Sequence, residues 1–311
     1  KGYATGPNVQ NYGVEVDVFS PVSIEATALG GGITLFTSQK ATSANRYELV
    51  VRSNLNILAK SGPIKLLGGQ DGGASDGYFY NSDNGSIYLG SKANSSITAS
   101  TSDIIIQADQ FSWNASSPVW PQIATTGAVT VKPYSESFSG TYNMYKAWNR
   151  NGQNISGLTI GKPGNTANIN QTQSITVNGP ISIFGGNISI NAALTATNNT
   201  ININSTTSIT DGASGYLIAN GLALNGAGTV TLDNRTNNLG TIAAGSSGSR
   251  IGALSYFDTD DLTIGTVSST GIYSNGDIKI ETVTGDINLT ENISTSSTSS
   301  DAIILNAGKS S

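Results

Sequence analysis

Apolar residues recur in this chain at Ile160, Ile181, Ile201, Leu222, Ile242, Leu262, Val283 and Ile303, in steps of 20 or 21 residues. Around them lie apolar-x-apolar triplets: Ile181-Ser182-Ile183, Ile188-Ser189-Ile190, Ile201-Asn202-Ile203, Val230-Thr231-Leu232, Leu262-Thr263-Ile264, Ile278-Lys279-Ile280 and Ile287-Asn288-Leu289. A period of two marks β-strands. The triplets follow one another too closely for hairpins of five- or six-residue strands, and their turns carry little of the Asn-Gly punctuation that tight hairpins favour. A chain that turns so often coils, and a unit that cannot bury its apolar face alone gains a continuous core by stacking. The expected fold is all-β: a parallel β-helix, or β-solenoid, of about 20 residues per coil, right-handed by the usual preference of parallel crossovers, with loop insertions.

Asparagines keep nearly the same interval in the pairs Asn178 and Asn198, Asn199 and Asn220, Asn170 and Asn191, and Asn204 and Asn225. Amides stacked at corners hydrogen-bond from coil to coil, and Asn tolerates the left-handed backbone a corner needs, although a chain so rich in Asn also produces such pairs by chance. Strand-like pieces at looser spacing precede residue 110: Val22–Ala26, Ile33–Phe36, Tyr47–Val51, Leu55–Leu58, Ile64–Leu67, Ile87–Leu89 and Ile104–Ile106, with Gly68–Gly85 as a protruding Gly/Asp-rich loop. Together these make a single elongated domain over 1–311, with irregular coils over 1–110, an aromatic-rich insertion over 111–152 and regular 20-residue coils over 153–311. Coils of about twenty residues throughout amount to at most roughly fifteen turns, their strands about 4.8 Å apart. Open strand edges at both ends imply flanking repeats of a longer parent chain, or caps.

The 37 Gly, 41 Ser, 34 Thr and 32 Asn together make 144 of 311 residues, which suits corners and a polar surface around a thin aliphatic core. Charged residues are 11%, against about 25% in ordinary globular chains. Val, Ile and Leu are nevertheless too plentiful for a disordered chain. With no His and no Cys, there is no Ser-His-Asp or Cys-His nucleophile, no imidazole base, and no Cys/His site for zinc, haem or an iron–sulfur cluster. Disulfides are excluded too, so backbone ladders must supply the stability. The net charge of −5 comes with Lys and Arg scattered singly, which offers no basic stripe to phosphates, so nucleic acid is not an expected partner. No apolar run approaches the ~20 residues of a membrane span, and no membrane insertion is expected. The chain opens at Lys1 without a signal peptide, as a processed or excised piece does, and its Ser/Thr/Asn-rich surface fits an extracellular setting.

All three Trp fall between Trp113 and Trp148, beside Phe111, Tyr134, Phe138, Tyr142 and Tyr145, where the triplet pattern is weakest. Rings on an insertion suit a sugar-binding platform, stacking on sugar faces while their polar tips reach hydroxyls; alternatively they pack the insertion onto the rod. The ligand-binding candidates are Trp113, Trp120, Tyr142, Tyr145 and Trp148. Two acidic groups, Asp71, Asp76 and Asp83 in the loop and Asp258, Asp260 and Asp261 further on, offer oxygens to calcium. Neither has the Asp-x-Asn-x-Asp-Gly or glycine-nonapeptide spacing that organises such ligands, so no metal site is assigned and no cofactor is expected. The Asp258–Asp261 run also suggests a carboxylate pair for glycoside hydrolysis. Neighbouring strand residues face opposite ways, however, and no His or recognisable lyase or hydrolase motif accompanies the run, so no catalytic residue is assigned and no enzyme is expected. Sequons such as Asn154-Ile155-Ser156, Asn187-Ile188-Ser189 and Asn288-Leu289-Thr290 follow from composition alone. Threonine pairs such as Thr195-Ala196-Thr197 do not repeat in the register of an ice-binding face.

Several strings, Ser156-Gly157-Leu158-Thr159-Ile160-Gly161-Lys162, Gly179-Pro180-Ile181-Ser182-Ile183-Phe184-Gly185-Gly186, Leu262-Thr263-Ile264-Gly265-Thr266-Val267, Gly285-Asp286-Ile287-Asn288-Leu289-Thr290 and Ile303-Ile304-Leu305-Asn306-Ala307-Gly308-Lys309-Ser310, have a familiar order. They resemble the repetitive β-strand segments of filamentous-haemagglutinin-like giant bacterial surface adhesins, best from about residue 153 onward and more weakly over about 86–140. The resemblance implies a secreted or cell-surface stalk that projects from the cell or joins a biofilm matrix, with glycans or a host or neighbouring cell surface as partners. It carries over no catalytic residues and no adhesive tip. Two other functions fit the composition: a filament subunit that self-associates through its coil ends, and a polysaccharide-active β-helix enzyme.

Overall fold

The computed structural model describes residues 14–16, 22–26, 32–36, 49–51, 55–59, 63–67, 87–89, 96–99, 102–107, 109, 111–113, 122–144 and 155–308. Among the described residues there is no helix; parallel strands stack as a β-solenoid of about 8 turns, with ladder partners ~23 residues apart. Two compact units are present, one of residues 1–142 and 147–165, the other of residues 143–146 and 166–311.

The first unit is built on three parallel ladders, one for each side of a turn. β1 (Val14–Val16), β4 (Leu49–Val51), β7 (Ile87–Leu89) and β10 (Phe111–Trp113) form one ladder. β2 (Val22–Ala26), β5 (Leu55–Ala59), β8 (Ser96–Ala99) and β11 (Gln122–Thr125) form the second. The third runs through β3 (Ile33–Phe36), β6 (Ile64–Leu67), β9 (Ile104–Gln107), β12 (Ala128–Lys132) and β14 (Gly157–Ile160). Alternation along the third ladder turns Ile64, Ile104, Val129 and Leu158 inward in one column and Leu66, Ile106, Val131 and Ile160 in the next, all of them buried. The early turns are long: partners stand 31 residues apart from Ile33 to Ile64 and 40 from Ile64 to Ile104. From Ile104 to Val129 the step falls to 25. The first part of the 111–152 segment is therefore coil rather than insertion, because β10, β11 and β12 continue all three ladders. The expected loop Gly68–Gly85 lies outside the described residues.

β13 (Tyr142–Met144) gives Tyr142 to the first unit and Asn143 and Met144 to the second. The second unit continues with β15 (Ile169–Gln171), β16 (Ile175–Val177), β17 (Ile181–Ile190), β18 (Ala193–Asp211), β19 (Tyr216–Asn225), β20 (Thr229–Leu232) and β21 (Asn238–Ala244). It closes with β22 (Leu254–Asp258), β23 (Leu262–Ile264), β24 (Ile272–Ser274), β25 (Ile278–Thr282), β26 (Ile287–Leu289), β27 (Ile293–Thr295) and β28 (Ile303–Asn306). The inward column Ile181, Ile201, Leu222 and Ile242 keeps steps of 20, 21 and 20, as the periodicity predicts. Each of these side chains is fully buried, a state that contributes about 1.5–3 kcal/mol per aliphatic.

Beyond Ile242 the register departs from the 20-residue rule. Ile242 pairs with Ile264 rather than Leu262, Leu262 pairs with Ile287, and Ile303 pairs with Ile278 in a different column. The cause is two excursions. Residues 245–253 lengthen the step from Val230 to Leu254 to 24, and residues 265–271 separate Ile264 from Ile272, which pair with Ile242 and Ala244 on one strand. In the last turn the inward positions Leu289, Ile303 and Leu305 are 55%, 43% and 37% exposed, while their partners Ile264, Ile278 and Ile280 are buried.

Corners are made where one turn passes close under the next. Gly226 has φ +88, and a Cβ on it would sit 2.1 Å from the carbonyl oxygen of Ser205 in the preceding turn, so both backbone conformation and space demand glycine. Asn198, with φ +54, is the one described non-glycine residue in the left-handed region and turns the corner within β18, as the sequence suggested for Asn.

Candidate functional site

The asparagine stacking expected from the sequence is present in part. Asn191 donates through Nδ2 to Asn170 Oδ1 at 2.9 Å, and Asn170 donates in turn to Asn143 Oδ1 at 3.0 Å, so three amides link successive turns of the second unit. Asn204 and Asn225 are ladder partners. Asn199 instead donates to the Thr197 carbonyl at 3.0 Å and, at 3.5 Å, to that of Asn178. A second stack, which the spacing did not single out, runs from Ser208 Oγ to Asn187 Oδ1 (2.7 Å) and from Asn187 Nδ2 to Asn168 Oδ1 (3.1 Å).

Among the described residues, a polar cluster forms at one corner of the second unit. Asp211 accepts from the backbone N–H of Asp233 (3.2 Å) and Asn234 (3.1 Å) and from Asn237 Nδ2 (3.1 Å). Asn237, wholly buried, also donates to the Leu232 carbonyl (3.3 Å) and accepts from the Leu217 N–H (2.8 Å). One turn on, Asp258 is wholly buried and accepts from the Tyr256 hydroxyl, from the Leu239 N–H (3.0 Å) and from the Asp260 N–H (3.2 Å). Burial raises the Asp258 carboxyl from 3.8 to about 6, against the opposing pull of those hydrogen bonds. Asp211 is likewise raised, chiefly by burial. Tyr256 is pushed up by burial and then by the Asp258 charge beside it.

Asp258, Asp260 and Asp261 do not converge on a common space. Asp258 faces inward, Asp260 accepts from Asn238 Nδ2 (3.2 Å), and Asp261 Oδ1 accepts from the Asp286 N–H (2.8 Å). Two carboxylates that cleave a glycosidic bond must flank one substrate, whereas each of these bonds a different neighbouring segment. Among the described residues, no three His, Cys, Asp or Glu side chains are grouped so as to hold a metal ion. Asp71, Asp76 and Asp83 lie outside the described residues.

Of the aromatic candidates, Tyr142 is described in full and is a core residue of the first unit. It is 4% exposed, and its ring stacks on Phe138 with centroids 5.0 Å apart and planes 17° from parallel. Phe138 is itself pinned by its N–H to Asn165 Oδ1 at 3.1 Å. A ring held this way offers no face to a sugar, so the ligand-facing assignment of Tyr142 is replaced by a packing one. Trp113 belongs to β10 through its backbone, and Trp120, Tyr145 and Trp148 lie outside the described residues.

The excursion from Gly265 to Gly271 is the remaining surface feature of note. It closes through Val267 N–H to Ser269 O (2.9 Å) and Gly271 N–H to Gly265 O (2.9 Å). Val267 lies over Gly221, where an added Cβ would come within 3.0 Å of its methyl group, and Ser268 Oγ donates to Asn202 Oδ1 at 2.5 Å. The outward-facing Ala223 and Ala243 between them are fully buried.

Sequence reasoning missed Asp211, Asn237 and Tyr256. The available signal was the pairing of acids and amides at 21- to 26-residue separations, the same separations at which ladder partners stand. Comparison with protein-family models, with curated proteins and with solved structures finds no match.

Proposed function

We propose that this chain is a structural shaft or adhesive segment of a large secreted or cell-surface bacterial adhesin, and that its work is mechanical rather than catalytic. Support comes from the use made of its polar side chains: Asp211, Asn237, Asp258, Asp260 and Asp261 all bond across to neighbouring segments of the same unit. Parallel ladders around a largely aliphatic interior spread load over many backbone bonds. The candidate contact residues are Trp113, Trp120, Tyr145 and Trp148, which would engage glycans or a cell surface by stacking.

The test is binding of the purified chain to a broad glycan panel and to whole cells, beside a variant with Trp113→Ala, Trp120→Ala and Trp148→Ala. Binding lost in the variant with its β-sheet spectrum kept makes this a contact segment; no binding by either makes it spacer. Sustained polysaccharide cleavage that disappears with Asp260→Ala would refute the mechanical role. A second reading, stacking of copies through turn edges, draws on the exposed inward aliphatics of β26 and β28 and is tested by concentration-dependent fibres in electron micrographs.

A further inference from the structure

Period-two geometry puts Leu254, Tyr256 and Asp258 of β22 on the inward face and Ser255 and Phe257 on the other, where Phe257 is nonetheless buried. Tyr256 is in register with Leu232 on one side and Ile280 on the other, so its phenol and the Asp258 carboxylate meet inside an aliphatic interior. Cations near this strand lie on its other face. The Arg235 guanidinium sits 4.8 Å over the ring of outward Phe257, and Lys279 is held by Glu281 at 2.6 Å. Asp258 is the buried charge here, and its acidic neighbours lie toward the surface: half-buried Asp211, which reaches the corner through Asn237, and exposed Asp260 and Asp233. The residue in register with Asp258 on the next turn is neutral Thr282.

A buried carboxylate with acidic neighbours and no cation on its own side gains more from a proton than from a hydrogen bond. The added proton can sit on Asp258 Oδ1, whose partner is the Asp260 N–H at 3.2 Å, which leaves the Tyr256 hydroxyl and the Leu239 N–H donating to Oδ2 as before. We propose that the Asp258–Tyr256 corner is a proton-operated lock, which takes up one proton from solvent under mildly acidic conditions and thereby tightens the turns built on β20, β22 and β25. A group whose folded value lies above its unfolded value favours the folded state fully below the unfolded one, and the gain is lost as pH rises through the folded one. Here the window runs from 3.8 to about 6. Between pH 7.5 and 5 the folding equilibrium gains about tenfold from this one residue.

The experiment measures the unfolding equilibrium of the full chain at pH 7.5 and 5, wild type beside Asp258→Asn. The gain on acidification is expected to be about tenfold smaller in the variant; equal gains in the two proteins overturn the proposal. Should Asp258→Asn not fold, carbon-13 titration of the aspartate carboxyls in the wild type and in Tyr256→Phe decides the matter. One carboxyl titrating near pH 6 in the wild type, and higher once the phenol donor is gone, supports the lock. Carboxyls that all titrate below pH 5, or a midpoint unmoved by Tyr256→Phe, refute it.

Discussion

Replacing Asn237 by Ala removes one side chain that ties three segments of the second unit together. In the native protein its Oδ1 accepts from Leu217 N–H at 2.8 Å, and its Nδ2 donates to Asp211 at 3.1 Å and to the Leu232 carbonyl at 3.3 Å. Both Asn237 and Leu217 are fully buried, so water cannot replace the lost acceptor. An orphaned buried amide costs about 1–3 kcal/mol, and losing a bond to a charged group about 1.5–3 kcal/mol. The Leu232 carbonyl bond is long and adds less, which puts the expected loss at about 3–5 kcal/mol for Asn237→Ala. Denaturant unfolding of the full chain supplies the total, and hydrogen exchange at Leu217 localises it, since that amide should lose its protection first. A loss below about 1 kcal/mol with Leu217 still protected would show that the corner is held by its backbone ladders and not by the amide.

Other substitutions probe separate parts of the fold. Ile201→Ala opens a cavity between Ile181 and Leu222 and should cost about 2–5 kcal/mol in thermal or denaturant unfolding. Gly226→Ala meets both a left-handed backbone and the Ser205 carbonyl, so it should cost more than the roughly 1–2 kcal/mol of the backbone term alone; a neutral melt would contradict the close approach. Ser268→Ala removes a single exposed hydrogen bond and should cost no more than about 1 kcal/mol, while hydrogen exchange rises along the 265–271 segment.

The solenoid was legible because apolar alternation and the 20-residue step are two periods of one geometry, and from Ile181 to Ile242 both hold. Legibility failed at Leu262 and Val283 because excursions add residues without adding turns, and a fixed period cannot see them. The Asn170–Asn191 contact followed from spacing, since ladder register forces equal intervals on corner residues. For Tyr142 the sequence left packing and ligand contact both open, because an aromatic in a weakly patterned stretch looks the same whether it packs or protrudes; burial and the Phe138 ring stacked on it favour packing. The inner corner was hidden for a different reason. Alternation shows that Asp258 and Asp260 share a parity, but not that the chain turns between them and sends one inside and the other out.

The hydrogen bond from Ser268 to Asn202 joins residues 66 apart in a fold whose ladder partners are ~23 apart. Stacked repeats ordinarily melt like a row of dominoes, each turn answering only to the next. A bond that passes the turns carrying Ala223 and Ala243 ties together segments that are not ladder partners, so fraying from either side meets it as an added cost. Unfolding between Asn202 and Ser268 should thus be somewhat more cooperative than its individual turns would show, by no more than the worth of that one exposed bond, about 1 kcal/mol.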